Sequence, residues 1–389
     1  MHSDPIVFTI FLIFTGAALF ATVALFARQA LPVAYIALGV LIGPSGIGLV
    51  EDSDVIRQVA DIGIMFLLFL LGLNLLPQKL IKLVQETTLV TGVSSLLFAG
   101  TGVGLGLFLG FTWIECLIIG AALMFSSTII GIKLLPTTVL HHKHTGEIIT
   151  SILLLQDVIA IVILLALQAH GRGDMKALEF AFVALSLPGL VLFAYLLERF
   201  VLIKLIARFD RIQEYIFLLA VGWCLGMAEL AALLGLSHEI GAFIAGVALA
   251  ASPIAAFISE NLKPLRDFFL VIFFFTLGAS FDMEILAAVI LPAALLAAIA
   301  LTMKPLVFGW LLKFSGEAAE RSMEIGFRLG QISEFSLLIA VLALQLGVIG
   351  SQASYLIQVA TLLTFIASSY IIVLRYPTPV AVSDRLRRD

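Results

Sequence analysis

Apolar residues run in blocks of about 17 to 28 positions along nearly the whole chain, separated by short polar, proline or glycine breaks. A lipid-facing strand alternates apolar with polar positions and a soluble helix keeps one polar face, and these blocks do neither. Each block is close to the roughly 20 residues a helix needs to cross a bilayer. The pattern therefore predicts an all-α integral membrane protein of about 13 transmembrane helices, at 6–27, 32–50, 60–76, 88–110, 113–135, 147–169, 179–198, 213–234, 236–252, 265–281, 285–312, 323–346 and 354–374.

Composition agrees with that pattern. Of 389 residues, 61% are apolar and 12% charged, against about 45–50% and about 25% in soluble domains. An ordinary soluble enzyme, a disordered chain and a nucleic-acid binder are excluded, and a formal net charge of −4 suggests no polyanionic partner. Cys116 and Cys224 lie inside apolar runs, where small hydrophobic filling is their expected role, and imply no disulfide framework. The first residues, MHSDP, lack the basic region of a signal peptide, so the first apolar run reads as a retained helix.

The few charges carry the topology. With the N-terminus outside, 16 of the 22 Lys and Arg fall in cytoplasmic loops and three, Arg57, Arg172 and Lys176, fall outside. That asymmetry predicts a multi-pass protein of the cell membrane with its N-terminus outside and its C-terminus cytoplasmic. The remaining three, Lys133, Lys304 and Arg328, lie within the expected spans.

A repeat is also legible. The segment DIGIMFLLFLLGLNL from Asp61 matches DFFLVIFFFTLGASF from Asp267 at an offset of 206, with Gly72 on Gly278. A shift of 206 or 207 also brings Gly39 onto Gly246 and Ser127 onto Ser333. On the span order this offset is an odd number of helices, so the second copy is expected upside down. Two inverted six-helix repeats follow, at 1–176 and 213–376, with a linker helix in 177–212 and a tail at 377–389. In such scaffolds substrate sits at the midplane, where discontinuous helices of the two repeats cross. Core ion-translocating and dimerisation domains would each mix helices from both repeats. The fifth and twelfth spans, with Phe125-Ser126-Ser127-Thr128 and Gly330-Gln331-Ile332-Ser333-Glu334-Phe335, are the expected crossing pair. Their hydroxyls can equally bond back to the preceding turn or join helices.

A carboxylate at mid-bilayer costs about 2.5–3.5 kcal/mol, so an ionisable residue there reads as functional by default. Asp157 lies near the middle of the sixth span with about ten largely apolar residues on either side. Burial favours its protonated form and a bound cation its charged form, so one group can exchange a proton for a metal ion. Lys304, followed by Pro305, lies deep in the eleventh span; it is expected to pair with Asp157 or Glu334, or else to snorkel. Arg328 is expected at the cytoplasmic interface. Asp61, Glu115, Glu239, Asp267 and Asp282 fall near span ends, where caps are expected rather than ligands. His141, His142 and His144 sit in a cytoplasmic loop, either as pH-sensing imidazoles or simply as solvated side chains. The glycines from Gly100 to Gly110 read as close helix packing.

With these residues in view, the chain resembles the monovalent cation:proton antiporter-2 family, and within it the Kef-type potassium:proton antiporters. The likeness covers nearly the whole sequence, through Ile42-Gly43-Pro44, Phe69-Leu70-Leu71-Gly72-Leu73, Ser126-Ser127-Thr128, Leu155-Gln156-Asp157, Gly241-Ala242-Phe243-Ile244-Ala245-Gly246 and Gly330-Gln331-Ile332-Ser333-Glu334-Phe335. The resemblance implies crossed broken helices, an elevator-like movement and a homodimer in membrane lipid. It also implies that Asp157 binds the ion and carries the proton. Gln156, Ser126, Ser127, Thr128 and Ser333 are then expected to support the site, with Lys304 and Glu334 compensating charge. No cofactor is expected beyond the transported potassium or sodium ion and protons. Gln156-Asp157 stands where electrogenic sodium:proton relatives carry two acids or Asn-Asp, which suits electroneutral exchange and ranks sodium second. Kef proteins continue into a cytoplasmic nucleotide-binding regulatory domain, whereas this sequence shows no βαβ pattern; regulation is expected from a separate subunit or a truncated segment. A cation channel and an organic-anion carrier are the rival readings from other classes, and neither is an enzyme.

Overall fold

The computed structural model describes residues 5–50, 54–74, 77–133, 140–170, 177–209, 212–252 and 254–377, and every regular element among them is helical. The order is α1 (Pro5–Phe26), α2 (Leu31–Ile42), α3 (Asp54–Asn74), α4 (Pro77–Phe108), α5 (Trp113–Met124), α6 (Thr128–Lys133), α7 (Leu140–His170) and α8 (Ala177–Leu197). A π-helical turn, Glu198–Leu202, carries α8 into α9 (Ile203–Arg208). Then come α10 (Gln213–Leu233), α11 (His238–Ala250), α12 (Ala255–Ala279), α13 (Met283–Phe314), α14 (Ala319–Arg328), α15 (Glu334–Gln345) and α16 (Ser351–Arg375).

Six segments among the described residues are long and apolar enough to cross a membrane: Val7–Phe26, Thr87–Phe108, His144–Leu164, Gln213–Leu233, Met283–Phe314 and Ser351–Arg375. Shorter apolar helices accompany them. Two of the expected spans are discontinuous. The fifth divides into α5 and α6, with Phe125 extended at φ −90° and ψ 147°, and the twelfth divides into α14 and α15. Past α8 the π turn and α9 carry the helix on to Arg208, inside the 177–212 stretch expected for the linker.

The chain forms two compact units, neither of them a continuous stretch of sequence. One comprises Met1–Gly16, Leu38–Ile81 and Arg172–Ser280. Within it α3 packs against both α11 and α12. Glycine makes the α3–α11 approach possible, and likewise that of α2 to α12: a Cβ at Gly246 of α11 would collide with the carbonyl of Phe69, and one at Gly39 of α2 with the carbonyl of Phe275. Both carbonyls are backbone, so neither can turn aside. The two contacts are related by the repeat offset, since Phe69 and Phe275 lie 206 positions apart. Gly246→Val is therefore expected to force α11 off α3 at a cost of about 1–3 kcal/mol; a lower thermal midpoint of the detergent-solubilised protein measures it.

The other unit comprises Ala17–Ala37, Lys82–Gly171 and Phe281–Asp389. Here α13 packs on α14 and α16, and α15 meets α5, α7 and α16. Gly326 and Gly330 bring the end of α14 against Pro305 of α13, where a Cβ at Gly326 would lie 2.5 Å from the Pro305 carbonyl. Lys304 is thereby set beside the second interruption.

Candidate functional site

A helix that stops inside the membrane leaves backbone N–H and C=O groups without partners, and hydrocarbon supplies none. The two interruptions in the second unit meet this demand with side chains. At the first, the amide of Gln156 on α7 accepts from Ser126 N–H (3.0 Å) and donates to the Met124 carbonyl (3.0 Å). An amide is suited to this because it holds a donor and an acceptor on one rigid group. At the second, Gln331 Nε2 donates to the carbonyls of Arg328 (2.9 Å) and Ser127 (3.3 Å), while Thr364 Oγ1 accepts from Ile332 N–H (3.1 Å). Ser127 and Ser333 cap the helices that resume, accepting from Ile130 N–H (3.3 Å) and Phe335 N–H (3.1 Å). Hydroxyls also tie one interrupted span to the other: Ser126 Oγ donates to Leu329 O (2.8 Å) and Ser336 Oγ to Ala122 O (2.6 Å).

Lys304 joins both interruptions. Its side chain is fully buried, and Nζ donates to the Phe125 carbonyl at 2.7 Å and the Gln331 carbonyl at 2.9 Å. Those acceptors lie 206 positions apart, as do Ser127 and Ser333. Counting back 206 from Lys304 itself gives Phe98, whose ring centroid is 5.3 Å from Nζ. One ammonium thus satisfies a matched pair of carbonyls, with an aromatic face at the position its own repeat partner would take. The expected ion pair with Asp157 or Glu334 is not formed among the described residues. The physical reason is that carbonyls freed by a helix break need donors, and an ammonium offers three.

Asp157 is buried in α7 next to Gln156, with 4% of its surface exposed. Glu334, buried in the first turn of α15, lies within electrostatic range of it. The Oγ1 of Thr128, first residue of α6, is buried without a hydrogen-bond partner. One unit therefore holds all eight residues proposed from sequence: Asp157, Gln156, Ser126, Ser127, Thr128, Ser333, Lys304 and Glu334. The geometry divides their tasks. Gln156, Ser127, Ser333 and Lys304 hold backbone groups in place, a task in which the Asp157 carboxyl takes no part.

Sequence reading missed the part played by α16. Gln358, Thr361, Thr364 and Ser368 are buried on one stripe of that helix, and Ser368 Oγ donates to Gln331 Oε1 at 3.0 Å. Their spacing of three or four residues within an apolar span was the available signal. Arg328 also departs from expectation. Instead of reaching an interface it is 0% exposed, bonded through Nε to Glu324 (2.9 Å) and through Nη2 to the Pro377 carbonyl (2.9 Å). Burial of that charge is tolerated because an acid one helical turn earlier accompanies it.

The expected caps are present at Glu115, in a capping box with Thr112, and at Asp282, which accepts from Glu284 N–H at 2.8 Å. His144 is exposed and donates to or accepts from Glu317 at 2.9 Å, linking the start of α7 to the turn before α14. The side chains of His141, His142 and Lys133 lie outside the described residues. Burial raises the Glu317 carboxyl, but hydrogen bonds from His144 and Arg321 outweigh it and hold the group below its ordinary 4.5. A depressed acid stabilises the fold fully above its ordinary value and loses that contribution as pH falls through the lower folded value. Glu317→Gln should therefore flatten the loss of thermal stability on acidifying below about 4.5, which a pH series of melting curves checks.

Comparison with known proteins agrees with this architecture. A family model described as "Sodium/hydrogen exchanger, transmembrane" matches residues 10–374. The chain is 31% identical over 370 residues to a glutathione-regulated potassium-efflux system protein KefC of Salmonella schwarzengrund, covering 93% of this chain and 59% of that protein. It is 28% identical over 344 residues to the iron transporter MagA of Paramagnetospirillum magneticum, covering 88% of this chain and 79% of that one. The chain thus spans about 59% of the length of its KefC relatives. Among solved structures, the sodium proton antiporter MjNhaP1 of Methanocaldococcus jannaschii superposes with a TM-score of 0.67 at 17% identity, covering 94% of this chain and 98% of that one. At that identity the likeness speaks for the fold. A buried carboxylate beside two interrupted helices, within a chain matched almost end to end by the exchanger model, leads to one assignment: this is a multi-pass member of the sodium/hydrogen exchanger family of cation:proton antiporters, with Kef-type relatives.

Proposed function

We propose that the protein exchanges a cytoplasmic monovalent cation, potassium before sodium, for protons, one for one. The observation that carries this reading is the buried acid of α7, Asp157, beside both interruptions. Its carboxylate releases a proton on the cytoplasmic side and takes up the cation, with Thr128 and carbonyl oxygens of the interruptions completing the shell. Either ligand neutralises the carboxylate, and only the neutral form crosses the low-dielectric interior at tolerable cost. One titrating charge per cycle makes the exchange electroneutral.

Movement of the ion-carrying unit in an elevator manner, an inverted pair of repeats, a homodimer and a cytoplasmic C-terminus belong to the same proposal. The repeat-matched carbonyls held by Lys304 support the inverted pair. Potassium is favoured by the KefC relatives and by Gln156 preceding Asp157; sodium is the second reading, favoured by the MjNhaP1 fold. The MagA name points to iron, but carboxylate, hydroxyl and carbonyl oxygens are hard donors better suited to an alkali ion. An organic-anion carrier would need a free midplane cation, and Lys304 is committed to two carbonyls.

The test is dequenching of a pH dye in acid-interior proteoliposomes. Potassium should half-saturate the response at a lower concentration than sodium or lithium, and the response should be unaffected by a clamped membrane potential. A signal insensitive to all three ions would overturn the proposal.

A further inference from the structure

Three buried hydroxyls in the second unit, those of Thr91, Ser95 and Thr128, find no hydrogen-bond partner among the described residues. A helical Ser or Thr ordinarily bonds back to a carbonyl three or four positions earlier, as Thr101 does to Leu97 at 2.8 Å and Ser94 to Thr91 at 3.1 Å. For two of the three that outlet is occupied. The Thr91 carbonyl, four positions before Ser95, already accepts from Ser94 in addition to its helical N–H. The carbonyls three and four positions before Thr128 are those of Phe125 and Met124, engaged by Lys304 at 2.7 Å and by Gln156 at 3.0 Å.

The fold brings the three hydroxyls to one level. Helix α4 runs antiparallel to α5, with an added Cβ at Gly106 3.2 Å from Cys116 Cα and one at Gly102 2.7 Å from Gly120 Cα. Lys304 continues the pairing, since it meets both the Phe98 ring and the Phe125 carbonyl. Beyond that point α4 stays helical while the other chain is extended from Phe125 to Ser127. Three helical residues rise about 4.5 Å and three extended ones about 10 Å. Thr128 therefore falls between the levels of Ser95 and Thr91.

The spacing selects the occupant. Residues four apart on a helix face stand about 5–6 Å from each other, twice the length of an O–H···O bond. One water can bridge Thr91 and Ser95 and meet Thr128 as a third partner, the number a buried water usually has. Thr91 is 0% and Ser95 2% exposed, so bulk solvent does not serve them. A cation is disfavoured by the Lys304 ammonium, 5.3 Å from the Phe98 ring on the same face of α4, and apolar filling would leave all three hydroxyls unmet.

We propose that Thr91 and Ser95 hold a buried water that accepts the hydroxyl proton of Thr128 and so turns the Thr128 lone pairs toward the transported cation. A hydroxyl that ligates a cation offers it a lone pair and must place its proton on another acceptor. Thr91 and Ser95 are positioning residues that supply one. The proposal rests on Thr128 belonging to the ion shell, as in the exchange reading above.

Radiolytic labelling of the purified full chain tests the site apart from transport. X-rays turn bound water into hydroxyl radicals where it sits, so a ring sealed from solvent is oxidised only beside an internal water. Phe98, on the proposed site's face of α4, and Phe69, in the other unit, are both 0% exposed. Phe98 should be oxidised well above Phe69, and Thr91→Val with Ser95→Ala should bring it down to the Phe69 level. In proteoliposomes that double variant should raise the half-saturating potassium concentration about fivefold, more than it lowers the maximal rate. Thr128→Val should raise it similarly, and the three changes together should cost no more than either alone, because they break one chain of contacts. Oxidation of Phe98 no greater than that of Phe69, or unaltered in the double variant, overturns the proposal whatever becomes of exchange. Additive effects overturn it too. Unchanged potassium affinity in Thr128→Val overturns the positioning role, and of the exchange reading removes only the part given to Thr128. Should the double variant fail to fold, Thr91→Val and Ser95→Ala singly decide by the same readouts.

Discussion

Asp157→Asn is expected to reduce cation-dependent dequenching to the level of protein-free liposomes while leaving the protein folded. Asparagine has nearly the shape of aspartate but cannot ionise, so it can neither release a proton nor balance a bound cation. The same change removes a carboxylate whose placement at mid-bilayer costs about 2.5–3.5 kcal/mol, and the variant should therefore melt no lower than the wild type, and higher where Asp157 is ionised. Opposite movements of activity and stability distinguish an ion-carrying acid from a structural one, whose loss would lower both. Asp157→Glu keeps the titrating group, displaced by one methylene, and should retain measurable exchange. Undiminished dequenching by the Asn variant would sink the mechanism.

Lys304→Met should do the reverse on stability. It leaves the carbonyls of Phe125 and Gln331 buried without a donor, at about 1–3 kcal/mol each, partly offset because methionine, unlike an ammonium, is not penalised by burial. A net loss of about 2 kcal/mol in unfolding free energy is expected. Exchange should fall with it, because the two interruptions then lose their shared tie. Lys304→Gln retains two amide donors and should recover part of the loss. If Lys304 instead carried protons, both variants would shift the pH profile of exchange; as a positioning residue it should lower the maximal rate and leave the profile in place.

These predictions rest on different degrees of sequence legibility. Asp157 was legible because a lone acid amid apolar residues has few structural excuses in lipid. The interruptions were legible as clusters of Ser, Thr and Gln recurring at the repeat offset. Lys304 was found as a residue but given the wrong partner. Opposite charges are the obvious pairing along a sequence, whereas the carbonyls of Phe125 and Gln331 carry no signature of their own, and become acceptors only where a helix stops. Arg328 failed for a related reason: its position near a span end suggested an interface, and Glu324 one turn earlier, with Pro377 arriving from the end of α16, provided for burial. Gln156 shows the same limit, since nothing in its neighbourhood announces that its amide spans the gap between Met124 and Ser126.

By itself the sequence determined that this chain is helical and membrane-embedded, where its charges are scarce, and which two spans are unusual. Those properties follow from local transfer free energy, which adds up along the chain. Tertiary structure alone decided which groups answer one another across 30 to 200 positions: Gln156 with Ser126, Thr364 with Ile332, Lys304 with Phe125. In hydrocarbon no water stands in for a missing partner. The identity of each partner is therefore set by which elements pack together, and the hydroxyls of Thr91, Ser95 and Thr128, left over from that pairing, are visible only when they have done so.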